Sequence, residues 1–226
     1  MKQFLWVSCF LVAISGAPTR VSGQNAFTRQ VPCPGDLTIS GYTNIANLNA
    51  DMTAELNRVT TGGTAPQGGY SLILCPGTFN VAGGNAIKPV LNQVSISCGG
   101  PSSVNSVCTI VGSEQQLVIQ NPTVQGYRLS SVQINGLTFT GFGPTSAKLT
   151  ASAPTVFTCI DCKWQHFTGT DNVVDLTGTM TMQVENGVIG VSALLKFKLE
   201  PRQLLLIHRQ NFSGEHRSCK CKSKYI

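Results

Sequence analysis

Apolar side chains between residues 132 and 189 come into register when the chain is shifted by 25 residues. Val132, Phe157 and Met182 align, as do Ile134, Cys159 and Val184, then Leu137, Cys162 and Gly187, and finally Phe139, Trp164 and Ile189. Of these twelve positions only Gly187 lacks an apolar side chain. Polar residues alternate with them: Gln133 separates Val132 from Ile134, and Thr158 separates Phe157 from Cys159, as in strands with one face turned inward. Gly136, Asp161 and Asn186 share the bend of each unit, and all three suit turns or left-handed backbone. A strand-borne period in the twenties predicts a solenoid of stacked β-coils, each burying its face only against its neighbours.

Upstream, short strand-like runs occupy 70–75, 93–98, 107–111, 117–120, 131–135 and 137–140, and 155–159 and 162–167 follow. Corners such as Pro76-Gly77, Gly99-Gly100-Pro101 and Gly112 end the first three. With no helical pattern between them, a doubly wound α/β sheet is excluded, leaving a sandwich or a solenoid. The repeat selects the solenoid, because a sandwich needs no correspondence between inward positions of successive strands. Moved back by 25, Phe139 meets Glu114, so coils before residue 115 should differ in length.

One segment follows another period. Ile45, Leu48, Met52, Leu56 and Val59 lie on one helical face, Asn44 or Asn47 offers a cap, and Gly62-Gly63 marks the end. Such a helix is placed to cover the open end of the first coil; packing on the side of the domain is the alternative. Residues 24–41, with Pro32-Cys33-Pro34-Gly35, read as irregular chain whose order depends on Cys33.

The chain's beginning carries a different signal. Lys2 leads into an apolar run over 4–14, shorter than the roughly 20 residues that span a bilayer, with Val21-Ser22-Gly23 after it. This reads as a signal peptide over 1–23, with no transmembrane segment and an extracellular destination. The expected division is then 24–69 as an N-terminal segment with its helix, 70–190 as the solenoid, and 191–226 as a basic tail.

Charge sharpens that last boundary. Residues 1–190 hold eight basic and eight acidic side chains, and residues 191–226 hold eight and two, so the whole net charge of +6 sits in the tail. Leu194, Leu195, Phe197, Leu199 and 204–207 mixed with Lys and Arg read as a cationic amphipathic element for anionic polysaccharide or membrane. The competing reading is an end truncated or mistranslated at a splice boundary. The neutral body gives no reason to expect a nucleic-acid partner.

Nine cysteines fall to eight once Cys9 leaves with the signal. An even number in a secreted chain points to disulfides, with Cys33, Cys75, Cys98, Cys108, Cys159 and Cys162 as candidates and their pairing open. Zinc is the weaker alternative, since Cys159-Ile160-Asp161-Cys162 is matched only by Cys219-Lys220-Cys221, at the wrong spacing. Thus no metal site is expected. Asn211-Phe212-Ser213 is a glycosylation sequon, whereas Pro122 blocks Asn121.

The segments 132–139 and 157–164, together with Cys75-Pro76-Gly77-Thr78-Phe79 and Cys98-Gly99-Gly100, resemble the right-handed parallel β-helix of the pectin-lyase-like superfamily. More narrowly, the chain is similar over about 36–190 to secreted, cysteine-containing β-helix proteins of unicellular algae. The resemblance implies an all-β, right-handed parallel β-helix with an N-terminal capping α-helix. It leaves activity open, since this architecture hosts lyases, hydrolases, esterases and adhesins. A hydrolase of this superfamily would need clustered aspartates beside a His, and Asp171 and Asp175 lack such surroundings. A calcium-dependent lyase would need stacked carboxylates, yet a 25-residue shift of Asp161 gives Gly136 and Asn186, and of Asp175 gives Thr150.

What is left on the outer face is Asp161, Lys163, Gln165 and His166, with Asn186 one coil on, suited to hydrogen-bonding sugar hydroxyls. Asp161 and His166 are the catalytic candidates. Trp164 and the Cys159/Cys162 pair take inward positions and read as core. The expected function is that of a secreted, non-catalytic β-helix protein that binds carbohydrate or serves in the extracellular matrix or at the cell surface, without cofactor. The alternative is a polysaccharide lyase or glycoside hydrolase, for which calcium would be the cofactor.

Overall fold

The computed structural model describes residues 27–81, 85–99, 107–112, 115–141, 147–165, 174–185, 188–189, 197–198 and 204–208. The expected signal peptide over 1–23 lies outside them, as do His166, Asn186 and the Asn211 sequon.

Residues expected to be irregular form an antiparallel hairpin, β1 (Val31–Cys33) and β2 (Asp36–Gly41). Gly35 makes the turn at φ +86, a left-handed conformation that glycine adopts without a Cβ clash. Asp36 Oδ1 then accepts from Thr38 N and Oγ1 at 3.0 and 2.6 Å. The hairpin escaped the apolar pattern because it buries so little: Leu37 is 80% exposed, and Pro32 is a residue that only edge strands tolerate.

Helix α1 (Ile45–Thr60) begins where its cap predicts, the Asn44 side chain accepting from Asn47 N at 2.8 Å. It ends at Thr61 and Gly62, the latter at φ +105. Ile45, Leu48, Met52 and Leu56 are buried in one hydrophobic cluster with Tyr70, Leu72 and Leu74 of the first solenoid strand.

The remaining elements are strands: β3 (Tyr70–Leu74), β4 (Gly77–Asn80), β5 (Val94–Cys98), β6 (Cys108–Val111), β7 (Leu117–Gln120), β8 (Ser131–Asn135), β9 (Leu137–Thr140), β10 (Ala147–Ile160), β11 (Lys163–Gln165), β12 (Val174–Glu185), β13 (Val188–Ile189), β14 (Phe197–Lys198) and β15 (Leu204–His208). An eight-stranded sheet runs β14-β12-β10-β8-β5-β3, with β15 also on β12 and β7 also on β10; a five-stranded sheet runs β13-β11-β9-β6-β4. All their pairings are parallel. Apart from β7–β8 and β14–β15, successive strands alternate between the two sheets and stack coil on coil, a β-solenoid.

The stacking is regular where the repeat was legible and uneven elsewhere. Val132, Phe157 and Met182 are register partners, as are Ile134, Cys159 and Val184. Earlier, Tyr70 pairs with Val94 and Val94 with Val132, so the second coil carries the extra length, in the stretch that includes β6 and β7. One register differs from the simple shift: an irregularity between Ala151 and Thr155 sets Asp175 against Lys148 and not against Thr150. Parallel pairing also continues past residue 190, Met182 meeting Leu205 and Val184 meeting Ile207, an offset of 23 residues that a search at 25 passes over.

Candidate functional site

The corner between the two sheets is built from the column expected for turn residues. Gly136 and Asp161 both take left-handed backbone, at φ 68 and φ 53. Each amide donates to the carbonyl one coil on, Gly136 N to Ile160 O and Asp161 N to Glu185 O, both at 2.9 Å. A short-side-chain acid is among the few non-glycine residues that accept this conformation. The strain of the bend therefore selects Asp161, and its side chain is exposed.

Beyond the corner, Lys163 pairs in register with Thr138 and Gln165 with Thr140. Lys163 is exposed and Gln165 half-buried, whereas Trp164 between them turns inward, 3% exposed, its ring stacked on Phe139 with centroids 5.7 Å apart. The alternation thus brings Asp161, Lys163 and Gln165 to one outward edge beside Thr138 and Thr140. Asn186 and His166, the other members of the expected group, lie outside the described residues. Among the described residues the Trp164 indole N–H has no hydrogen-bond partner.

Three disulfides cross the same side of the solenoid: Cys33–Cys75, Cys98–Cys108 and Cys159–Cys162, with Cα separations of 5.1, 5.6 and 5.8 Å. The first ties the hairpin to the end of β3, and the other two join the end of an eight-stranded-sheet strand to the five-stranded side of the corner. Both sulfurs of the CxxC pair are buried, a setting for an inert structural bridge and not for an exposed low-pKa thiolate. Among the described residues no three His, Cys, Asp or Glu side chains gather closely enough to hold a metal ion, and no helix is long and apolar enough to cross a membrane.

Two carboxylates went unnoticed in the sequence. Asp51 and Glu55 stand four residues apart on the buried face of α1, 0% and 3% exposed. Asp51 pairs with Arg29 and accepts from Tyr42 Oη at 3.1 Å; Glu55 accepts from Arg58 Nε at 2.7 Å and from Tyr70 Oη at 2.9 Å. The Arg58 hydrogen bond holds the Glu55 carboxyl below its ordinary value despite burial. Burial, reinforced by the neighbouring carboxylates, pushes both tyrosine hydroxyls up, so each stays protonated and donates. Arg29, Tyr42 and Tyr70 come from outside α1, so the two carboxylates fasten the helix to the rest of the fold. Their signal was the i, i+4 spacing interleaved with Leu48, Met52 and Leu56.

Comparison with protein-family models, with curated proteins and with solved structures finds no match to this chain.

Proposed function

We propose that this protein works outside the cell as a carbohydrate-binding β-solenoid, secreted through its apolar leader and anchored to extracellular polysaccharide by its outer face. The carrying observation is the outward edge of Asp161, Lys163 and Gln165, the last two in register with Thr138 and Thr140. An exposed anion and cation beside a half-buried amide and two half-buried hydroxyls provide donors and acceptors on a scaffold that coil stacking keeps fixed. Three disulfides fit an oxidising compartment. The finer architecture belongs to the same reading: a right-handed, pectin-lyase-like β-helix with α1 covering its first coil, which the hydrogen bonds from Tyr70 Oη to Glu55 and between Asn49 and Ala86 and Lys88 support.

The reading is tested by affinity electrophoresis of the full chain through gels containing acidic and neutral polysaccharides, alongside assays for new reducing or unsaturated ends with and without calcium. Retardation without cleavage, weakened in Lys163→Ala/Gln165→Ala, is the expected result. Cleavage would replace it with the lyase or hydrolase alternative, and no retardation by any polysaccharide would remove it.

A further inference from the structure

The outward columns of the eight-stranded sheet form a second polar surface that runs up to the corner, Asn135 and Ile160 directly preceding Gly136 and Asp161. Ser71, Ser95, Gln133, Thr158 and Gln183 stand side by side on five consecutive strands, β3, β5, β8, β10 and β12. All five are uncharged hydrogen-bonding residues, exposed or half-buried. The adjoining column runs Ile73, Ser97, Asn135, Ile160 and Glu185, and β15 continues the two columns with Leu206 beside Gln183 and His208 beside Glu185. Neighbouring members orient one another: Gln133 Nε2 donates to Asn135 Oδ1 at 3.0 Å, Asn135 Nδ2 to Ser95 Oγ at 3.2 Å, and Thr158 Oγ1 to Gln183 Oε1 at 3.4 Å.

We infer that this face is a docking strip for an uncharged, extended polysaccharide, held by Ser95, Gln133, Asn135, Thr158 and Gln183. Strands in a sheet are about 4.8 Å apart, so the strip presents hydroxyls and amides at a constant step over roughly 20 Å. A linear polymer of repeating hydroxyl-bearing units can engage such a strip at many points, whereas a compact ligand engages one. Charge decides which polymer. The first column carries none, and only 12% of the whole chain is charged against about 25% in ordinary globular proteins. A polyanion, whether uronic polymer or nucleic acid, finds no Lys or Arg in these two columns to replace its counterions. Ile73, Ile160 and the 38% exposed Val156 add aliphatic surface beside the amides, matching the C–H faces of sugar rings.

This inference rests on the carbohydrate reading above, and the experiment separates the two. The full-length protein is run by affinity electrophoresis in hydroxyethylcellulose, in galactomannan and in polygalacturonate, at low salt and in about 0.5 M salt, where the Debye length is a few Å. Retardation by a neutral polymer, insensitive to salt, is expected. Gln133→Ala/Gln183→Ala should weaken it about tenfold or more, at roughly fivefold per lost hydrogen bond. Lys88→Ala, an exposed site away from the strip, should leave it unchanged, and circular dichroism should show both variants folded. Salt-sensitive retardation by polygalacturonate alone would overturn this inference and leave the carbohydrate reading standing; no retardation anywhere would remove both. Neutral binding that survives the double glutamine variant, or a dimer on native mass measurement that the variant dissociates, would also overturn it.

Discussion

Glu55 shows what a single buried charge does when its partners are fixed. Its carboxyl titrates below the ordinary value of 4.5 because Arg58 and Tyr70 hydrogen-bond its charged form more strongly than burial opposes it. A depressed folded value means that the charged carboxylate stabilises the fold above the unfolded pKa, and that this contribution is lost as pH falls through the lower folded one. Thermal unfolding followed from pH 7 downward should therefore show wild-type stability dropping below about pH 4.5. Glu55→Gln should start less stable and lose less over the same range; parallel curves would show that Glu55 contributes nothing. Trp164 offers the complementary apolar case. Trp164→Ala should cost about 3–5 kcal/mol by opening a cavity against Phe139. Trp164→Phe should cost less than half as much in denaturant unfolding, since it keeps the ring stack and removes an N–H that the described residues leave unpartnered. At this scale the inward assignment of Trp164 was legible from alternation alone. The Asp51 and Glu55 pairings were not, because Arg29, Tyr42 and Tyr70 reach them from other elements and sequence spacing cannot report who arrives.

Elements were legible in proportion to how much apolar surface each one buries. The helix has a complete set of local signals, an Asn cap, a five-residue apolar face and a glycine end, and it forms over Ile45–Thr60. Asn44→Ala removes the side-chain acceptor for Asn47 N and should lower stability by about 1 kcal/mol, whereas Asn44→Asp, which keeps that acceptor, should restore most of it. Strands β7, β8 and β9 match the expected runs 117–120, 131–135 and 137–140 because each alternates and is bounded by turns. The hairpin and β4 (Gly77–Asn80) were missed for one physical reason. Each buries a single side chain from its strand positions, Cys33 in β1 or Phe79 in β4, so there is no periodicity to read. Long-range pairing holds them, with β4 laid on β6 and the hairpin fastened through Cys33–Cys75.

Across the whole molecule, what fixes the coils is nearest-neighbour stacking reinforced along one side by disulfides. The repeat was legible where coils keep 25 residues and faded where the chain inserts residues between Val94 and Val132 or drops two between Met182 and Leu205. Stacking tolerates such changes because inward positions need only meet their neighbours at the strands, and loops absorb the difference. The disulfides act on a different quantity, the freedom of the unfolded chain, and their contributions should follow the length of chain each one closes. Cys33–Cys75, Cys98–Cys108 and Cys159–Cys162 have sequence separations of 42, 10 and 3. On the chain-entropy relation these correspond to roughly 4, 2.7 and 1.6 kcal/mol. Paired Cys→Ala variants measured by thermal unfolding should therefore rank in that order. The first should fall by about 8–16 °C and the last by about 3–6 °C, taking about 2–4 °C per kcal/mol for a chain of this size. The reverse order, with the short Cys159–Cys162 bridge dominating, would show that the corner holds the stack by fixing the native bend at Asp161 and not by restricting the unfolded chain.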